Sequence, residues 1–511
     1  KGDDTRHHKA LSPAPSHLYS FCSCNVQIVL TQYSYYYQTL EVEKPSMPTA
    51  AVHQFATDEG QRQLDKMLAN ELNQMSIQQR EKVYEEIHGV NSISEESPSL
   101  LNEGLFRLDQ ALQRIYPKPA YDQAFRQNAS YCLNPKLRLA FLRAEYFDAS
   151  RAAVRMVKFF EGKLEYFGPD ALARDLRLNE DMDEDDRKCL QAGHLQILPA
   201  RDRAGRAVFC DFQATFPKCY KQARNMVKCS IYLMLCAAED EENQKLGIVG
   251  MLYHVGKQQN KPDPDLMAQG PATLQWLPIR FNSIHICVSH AMSSILARLL
   301  LIGAGQEIRA RSRVHYGGHL ECQYSLMTFG VPVNVFPISA EGELKLSDFH
   351  KWIKKRIKKD AVAREQGNSG KPAVFSGIDL PSSRDVLMGK GKPFQIHPGN
   401  VALRYLCEKR LEEYKATRKG DKSELASDVV AMCGRFLKRE SDGWWTEVSH
   451  ETAKDKVIKA FLAIRAIERT SGSPGVSPML LSVPAPAALD LAERDSKRAR
   501  MCCGSDGSES I

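Results

Sequence analysis

The stretch Arg138-Leu-Ala-Phe-Leu-Arg143-Ala-Glu-Tyr-Phe147-Asp148 decides the fold more than any other part of the chain. Its apolar residues Leu139, Leu142 and Phe147 form one set on a predicted helix. Asp148 has the residue type of a helix N-cap, because its side chain can accept a hydrogen bond from the next helical turn. The helix that would follow carries a second apolar set, consisting of Ala152, Met156, Phe159 and Phe160. The sequence therefore predicts two helices joined at an aspartate cap.

The pattern of apolar residues differs between the two sides of this element. Upstream, residues 57–127 have the apolar spacing of amphipathic helices. Downstream, short apolar runs rich in β-branched residues alternate with helical stretches; these runs are Val208–Phe212, Leu246–Tyr253, Ile284–Ser289 and Val331–Phe336. Strands that alternate with helices predict an α/β domain with an internal sheet.

The order of these segments resembles the CRAL-TRIO lipid-binding family, in its phosphatidylinositol-transfer-like form. Residues 138–148 are similar to that family's R-x-x-FLRA-xx-FD element, and residues 202–208 to its D-x-x-GRPV entry into the first strand, with Ala207 in place of proline. Tyr253-His-Val-Gly256 stands where the family often has D-x-x-G, and residues 277–288 resemble its YPER…iiN strand. The resemblance implies a mixed sheet with flanking helices, preceded by a helical subdomain.

The same resemblance implies an apolar pocket above the sheet, closed by a gate helix at Ser294–Ile302. A lipid needs such a cavity with a few polar groups to orient its head. The predicted pocket residues are Phe212, Val249, Met251, Tyr253, Ile286, Val288, Leu296, Leu299 and Leu300. Alternation along the strands places Val249, Met251 and Tyr253 on one face, and Ile286 and Val288 on one face of the next strand. Either set could instead face the helical layer behind the sheet.

Basic residues near the predicted pocket suggest contacts with a lipid head group. Arg309, Arg311 and Arg313 alternate with small residues next to His315. We expect Arg311, Arg313 and His315 to orient an anionic head, although a solvated sheet edge explains the same pattern.

A basic amphipathic helix is predicted at residues 347–361. Its apolar residues Phe349, Trp352, Ile353 and Ile357 share one side, and lysines fill the others. This pattern is typical of a helix that lies on an anionic membrane, with Trp352, Lys354 and Lys355 as contacts. Alternatively, the apolar side packs on the protein and the lysines are solvated.

A second small domain is predicted from Asp385 to about Glu468. Its Pro-Gly-Asn, Gly-Arg-Phe-Leu-Lys and Trp-x-x-Val elements resemble an uncharacterised domain recurrent in diatom proteins. Residues 434–439 and 444–448 predict a β-hairpin between helices, which gives a small α+β domain. Residues 384–469 hold eighteen Lys and Arg against thirteen Asp and Glu, a net charge of +5. Nucleic-acid binding in a winged-helix manner through Arg435, Lys438 and Arg439 is one interpretation, and a protein-interaction domain is another.

The composition limits the classes of function. The chain of 511 residues has a net charge of +7, and no apolar run is long enough to span a membrane. The fourteen cysteines are scattered, which is typical of a reducing compartment, and none is spaced as a zinc site. No G-x-S-x-G, H-E-x-x-H or nucleotide-binding fingerprint is present, so we predict no enzyme, no catalytic residue and no cofactor other than a bound lipid.

These observations divide the chain into seven ranges: 1–50 disordered or uncertain, 51–128 helical, 129–195 the helical subdomain, 196–345 the lipid-binding domain, 346–380 basic helix and linker, 381–470 the α+β domain, and 471–511 a disordered tail. The leading hypothesis is a cytoplasmic, peripheral membrane protein that binds, and could transfer, a phosphoinositide-like or isoprenoid-like lipid. The alternative is a scaffold or nuclear protein that acts through the basic C-terminal domain on a protein or nucleic acid.

Overall fold

A computed structural model describes residues 69–90, 96–257, 263–289, 306–339, 342–368, 377–418, 420–441 and 443–471, together with residues 62 and 66. The chain divides into two compact units. The first runs to Leu198 and continues from Arg206 to Leu346, and the second comprises Pro199–Gly205 and the chain from Ser347 onward. The basic helix therefore belongs to the second unit.

The first unit begins with a helical layer. Its helices are α1 (Ile77–His88), α2 (Pro98–Arg114), α3 (Pro119–Gln127), α4 (Ala129–Cys132), α5 (Pro135–Ala144), α6 (Ala149–Phe167), α7 (Leu178–Asp181) and α8 (Glu184–Gln191). Asp148 caps α6, because its side chain accepts a hydrogen bond from the backbone N–H of Arg151 at 3.0 Å. The predicted pair of helices joined at an aspartate cap is confirmed.

The two arginines of the opening stretch tie α5 to its neighbours. Buried Arg138 pairs with Asp109 of α2. Arg143 donates to Glu96 at 2.8 Å and to Gln244 at 2.6 Å, and so joins the helical layer to the segment that leads into the sheet. A buried guanidinium is costly unless it is paired, so these ion pairs and hydrogen bonds help to position the helical layer, whose core the apolar residues of this stretch form.

A five-stranded mixed sheet follows, in the order β1-β2-β3-β4-β5. The strands are β1 (Leu195–Ile197), β2 (Val208–Asp211), β3 (Ile248–His254), β4 (Phe281–Val288) and β5 (Ser312–Tyr316). Strand β1 is antiparallel to β2, and the other neighbours are parallel. The helices between and after them are α9 (Ala223–Ala238), α10 (Glu241–Leu246), α11 (Pro264–Thr273), α12 (Gln306–Arg311) and α13 (His319–Thr328). The expected α/β class is therefore observed.

One predicted strand is wrong. Residues 331–336 contain a 3-10 turn at Val333–Val335, and the fifth strand lies instead at Ser312–Tyr316. Pro332 lacks the N–H that a strand would donate. The apolar character of the run has another cause, since Val331 and Phe336 are buried in the core.

The two faces of the sheet carry different apolar clusters. On the first, which we call the helical face, Ile248 belongs to one cluster with Ile231 and Met234 of α9. The other, which we call the second face, carries Val208, Cys210, Val249, Met251, Tyr253 and Cys287. It packs against Cys322 and Leu326 of α13 and against Phe336.

The second unit contains α14 (Ser347–Asn368), β6 (Val386–Met388), α15 (Lys392–Gln395), α16 (Pro398–Lys409), α17 (Leu411–Ala416), α18 (Lys422–Met432), β7 (Phe436–Arg439), β8 (Trp445–Glu447) and α19 (His450–Ser471). The sheet order is β6-β7-β8, with β6 parallel to β7 and β7 antiparallel to β8. The predicted hairpin is confirmed. Strand β6 was not predicted, because a run of three apolar residues directly before a glycine-rich segment is too short to show the alternation of a strand.

Candidate functional site

The predicted pocket residues separate into three groups. Phe212, Val249, Met251 and Tyr253 lie in the cluster of the second face and are completely buried. The ring of Tyr253 lies 4.7 Å from that of Phe336, and its hydroxyl is 3.1 Å from Nδ1 of His319. These side chains are enclosed by protein atoms.

Ile286 and Val288 lie on the opposite face of the sheet. The register pairs Met251 with His285 and Tyr253 with Cys287, so Ile286 and Val288 point to the helical face. The prediction that all these strand residues line one pocket is therefore wrong, because sequence alternation does not fix which residues of two strands share a face. The remaining predicted residues, Leu296, Leu299 and Leu300, lie with the predicted gate helix outside the described residues.

An apolar strip covers the carboxyl-terminal part of the helical face. Ile284, Ile286 and Val288 form a cluster of buried side chains. Leu252, Ile308 and Val314 pack against this cluster and remain only partly buried. The strip, defined by these six residues, is distinct from the completely buried cluster on the second face.

Two polar side chains stand at the end of this strip. Asp211 is the last residue of β2, and His254 is the last residue of β3. The register pairs Asp211 with Leu252, and His254 lies two residues after Leu252 on the same strand, so Asp211 and His254 both point to the helical face. Burial raises the pKa of Asp211 and lowers the pKa of His254, and each charge partly opposes the effect on the other. The Nε2 atom of His254 is enclosed and has no hydrogen-bond partner in the described part of the chain. Neither residue is predicted from the sequence, because only the register brings both of them to the end of the strip.

The predicted head-group residues do not converge. Arg309 pairs with Glu71 at 2.8 Å, and Arg311 with Glu86 at 2.6 Å. Arg313 donates to the carbonyls of Ala310 and Ser312. Since Arg313 pairs with His285 in the register, it points to the second face, away from the apolar strip.

His315 belongs to a buried basic cluster on the second face. Its Nε2 lies 3.0 Å from Nδ1 of His285, and both rings pack on Phe329. His285 and Ser283 are completely buried, and each has a polar atom that finds no hydrogen-bond partner within the ranges the structure describes. Burial and the neighbouring positive charges lower the pKa of His285 to about 3.

The basic helix α14 uses its apolar side within the protein. Phe349 and Ile353 are buried. The indole of Trp352 and the ammonium of Lys355 both donate to the carboxylate of Asp379. Lys354 is exposed. This arrangement corresponds to the alternative in which the apolar side packs and the exposed lysines are solvated.

In the C-terminal domain, the predicted nucleic-acid residues have different surroundings. Arg435 donates to both oxygens of Asp385, at 3.0 and 2.9 Å. Its guanidinium therefore joins the start of β6 to the start of β7, and it already uses two of its donors within the protein. Lys438 and Arg439 are exposed.

The comparisons with known proteins bear on this C-terminal domain. Residues 385–463 match a family described as Domain of unknown function (DUF6824). No curated protein matches the chain. Among the described helices, none combines the length and the apolar character needed to cross a membrane.

Proposed function

We propose that the first unit binds a hydrophobic lipid on the helical face of its sheet. The observation that carries this proposal is the apolar strip at the carboxyl ends of parallel strands. In open α/β sheets, ligands bind beyond these ends. The buried part of the strip would supply an apolar floor, and its partly buried members would gain contacts from a bound chain.

The contrast between the two faces supports this location. On the second face, Val249, Met251 and Tyr253 are completely buried and already packed. On the helical face, Leu252 and Val314 keep partial exposure inside an otherwise apolar cluster. A lipid placed there would remove apolar surface from water at about 25 cal/mol per Å². The order of the segments and their resemblance to CRAL-TRIO proteins support a lipid as the ligand, whichever face of the sheet binds it.

Native mass spectrometry of the purified full chain tests the proposal. We expect a lipid to co-purify with the unaltered protein, and Val314→Trp to abolish most of this binding by filling the strip. Val154→Trp is the matched control, because Val154 is 46% exposed on α6. The proposal fails if the unaltered protein carries no lipid and also takes up none from vesicles.

Contact with a membrane is proposed through α13. This helix buries Cys322 and Leu326, yet Leu320, Tyr324 and Met327 on its other side are 64%, 63% and 50% exposed. Glu321 is the one Asp, Glu, Lys or Arg among its ten residues. An exposed side of leucine, methionine and tyrosine without basic residues fits the boundary between head groups and acyl chains.

Flotation with phosphatidylcholine vesicles measures this contact. The double variant Leu320→Ser with Met327→Ser should bind the vesicles about tenfold more weakly, a change of roughly 1.4 kcal/mol. Phe106→Ser is the control, because Phe106 is 62% exposed on α2. Equal flotation of the double variant and the control would show that α13 makes no membrane contact.

A further inference from the structure

We infer that the apolar strip selects lipids whose polar end is an uncharged hydroxyl, in preference to lipids that end in a phosphate. The inference rests on the proposed function and names the chemical class of its ligand. It follows from Asp211 and His254, the two polar side chains at the end of the strip.

The sheet brings these two residues together. Strands β2 and β3 are parallel, so their carboxyl ends, Asp211 and His254, reach the same edge. The register places Asp211 beside Leu252, two residues before His254 on the same face. A chain lying over Leu252 and Ile286 would therefore present its polar end to this pair.

The hydrogen-bonding capacity of the pair suits a hydroxyl. The carboxylate of Asp211 accepts from the backbone N–H of Gln213 at 2.9 Å and from its side-chain amide at 3.2 Å. A carboxylate has further acceptor sites beyond these two. Among the described residues, the enclosed Nε2 of His254 has no hydrogen-bond partner. A hydroxyl both donates and accepts, so it could donate to Asp211 while it pairs with His254.

The charges around the pair disfavour a phosphate. Asp211 is an acid, and burial keeps His254 neutral by lowering its pKa. The nearby Lys218 and Tyr220 both direct their polar ends to Asp263, at 3.1 Å each. A phosphate would therefore meet an acidic side chain beside a neutral imidazole, and like charges at close range repel each other.

The predicted arginines do not change this balance. Arg309 and Arg311 are paired with Glu71 and Glu86, and Arg313 points to the second face. The sequence alone favoured neither a phosphoinositide nor an isoprenoid ligand. The positions of these arginines favour the isoprenoid-like alcohol.

Ligands that share one chain and differ only at the head provide the test. Oleyl alcohol, oleic acid and oleyl phosphate would compete with a pyrene-labelled alcohol for the full-length protein. We expect oleyl alcohol to bind at least about tenfold more tightly than oleyl phosphate. Equal or tighter binding of oleyl phosphate overturns the inference but leaves lipid binding intact, whereas failure of every ligand to bind contradicts the proposed function itself.

Two variants assign the preference to the pair. Asp211→Asn should raise the affinity for oleyl phosphate about tenfold, because it removes the acidic group. His254→Phe should weaken binding of the alcohol and leave that of the phosphate unchanged. Asp265→Asn is the matched control, since Asp265 is an exposed aspartate on α11. If Asp211→Asn fails to fold, the effect of His254→Phe and the order of ligand affinities in the unaltered protein test the inference. If both variants fold and keep the same order of ligand affinities as the unaltered protein, the pair has no role in the preference.

Discussion

Acidification from pH 8 to pH 5 should lower the free energy of unfolding of the first unit by about 4 kcal/mol through His285 and His315. Both side chains are buried, with Nδ1 of His285 at 3.0 Å from Nε2 of His315. Burial, with the charges of His315, Arg206, Arg313 and His88, lowers the pKa of His285 to about 3. Burial and Arg313 lower that of His315 to about 4.

The direction of the effect follows from these shifts. The folded protein holds both imidazoles neutral, whereas the unfolded chain binds protons as the pH falls below the usual histidine pKa of 6.5. The contribution of the neutral pair to stability is thus complete above this value and is lost progressively as the pH falls toward the folded-state pKa values, about 4 for His315 and about 3 for His285. At pH 5 the unfolded pKa lies about 1.5 pH units higher, which costs about 2 kcal/mol for each histidine.

Urea unfolding of the full-length protein at several pH values measures this loss. The double variant His285→Gln with His315→Gln should flatten the pH dependence by about 4 kcal/mol over the same range. His450→Gln is the control, because His450 is exposed on α19. An unchanged pH dependence in the double variant would mean that the two imidazoles are already charged, or solvated, in the folded protein.

The two histidines illustrate what the sequence could predict of the site. Position 285 lies in a run correctly predicted as a strand, and the alternation along that strand was also correct. Facing residues on neighbouring strands, however, depend on register, which the sequence of one strand does not contain. For that reason Ile286 was grouped with Met251, although the two residues point to opposite faces.

Local signals with a direct physical cause were predicted more successfully. Asp148 was predicted as a cap because its hydrogen bond needs only the next turn of the same helix. The hairpin of β7 and β8 was predicted for the same reason, since its two strands are neighbours in the chain. By contrast, the pairs Arg311–Glu86 and Arg435–Asp385 join residues far apart in sequence. Isolated arginines in a sequence do not reveal such partners, so both residues were predicted to contact ligands.

Gly399→Ala should unfold or strongly destabilise the C-terminal domain, by about 3 kcal/mol or more. A Cβ atom at position 399 would lie 2.1 Å from the carbonyl oxygen of Asp385 and 2.7 Å from its carbonyl carbon. Both are backbone atoms, which cannot move aside as a flexible side chain can. The close approach is fixed by Asn400, whose side chain accepts from the N–H of Leu387 at 2.7 Å and donates to its carbonyl at 2.9 Å.

Hydrogen exchange of the full-length protein, read on peptides from β6, β7 and α19, would detect this loss. Gly420→Ala is the matched control, because a Cβ there meets no atom within 4 Å, and it should change stability by no more than about 0.5 kcal/mol. If these peptides are as well protected from exchange in Gly399→Ala as in the control, α16 does not lie against β6 as described. The expected result would instead give the Pro-Gly-Asn element a structural role: its glycine admits the backbone of Asp385, and its asparagine holds β6. Any binding function of the domain would then be sought in exposed residues such as Lys438 and Arg439, outside the Pro-Gly-Asn element.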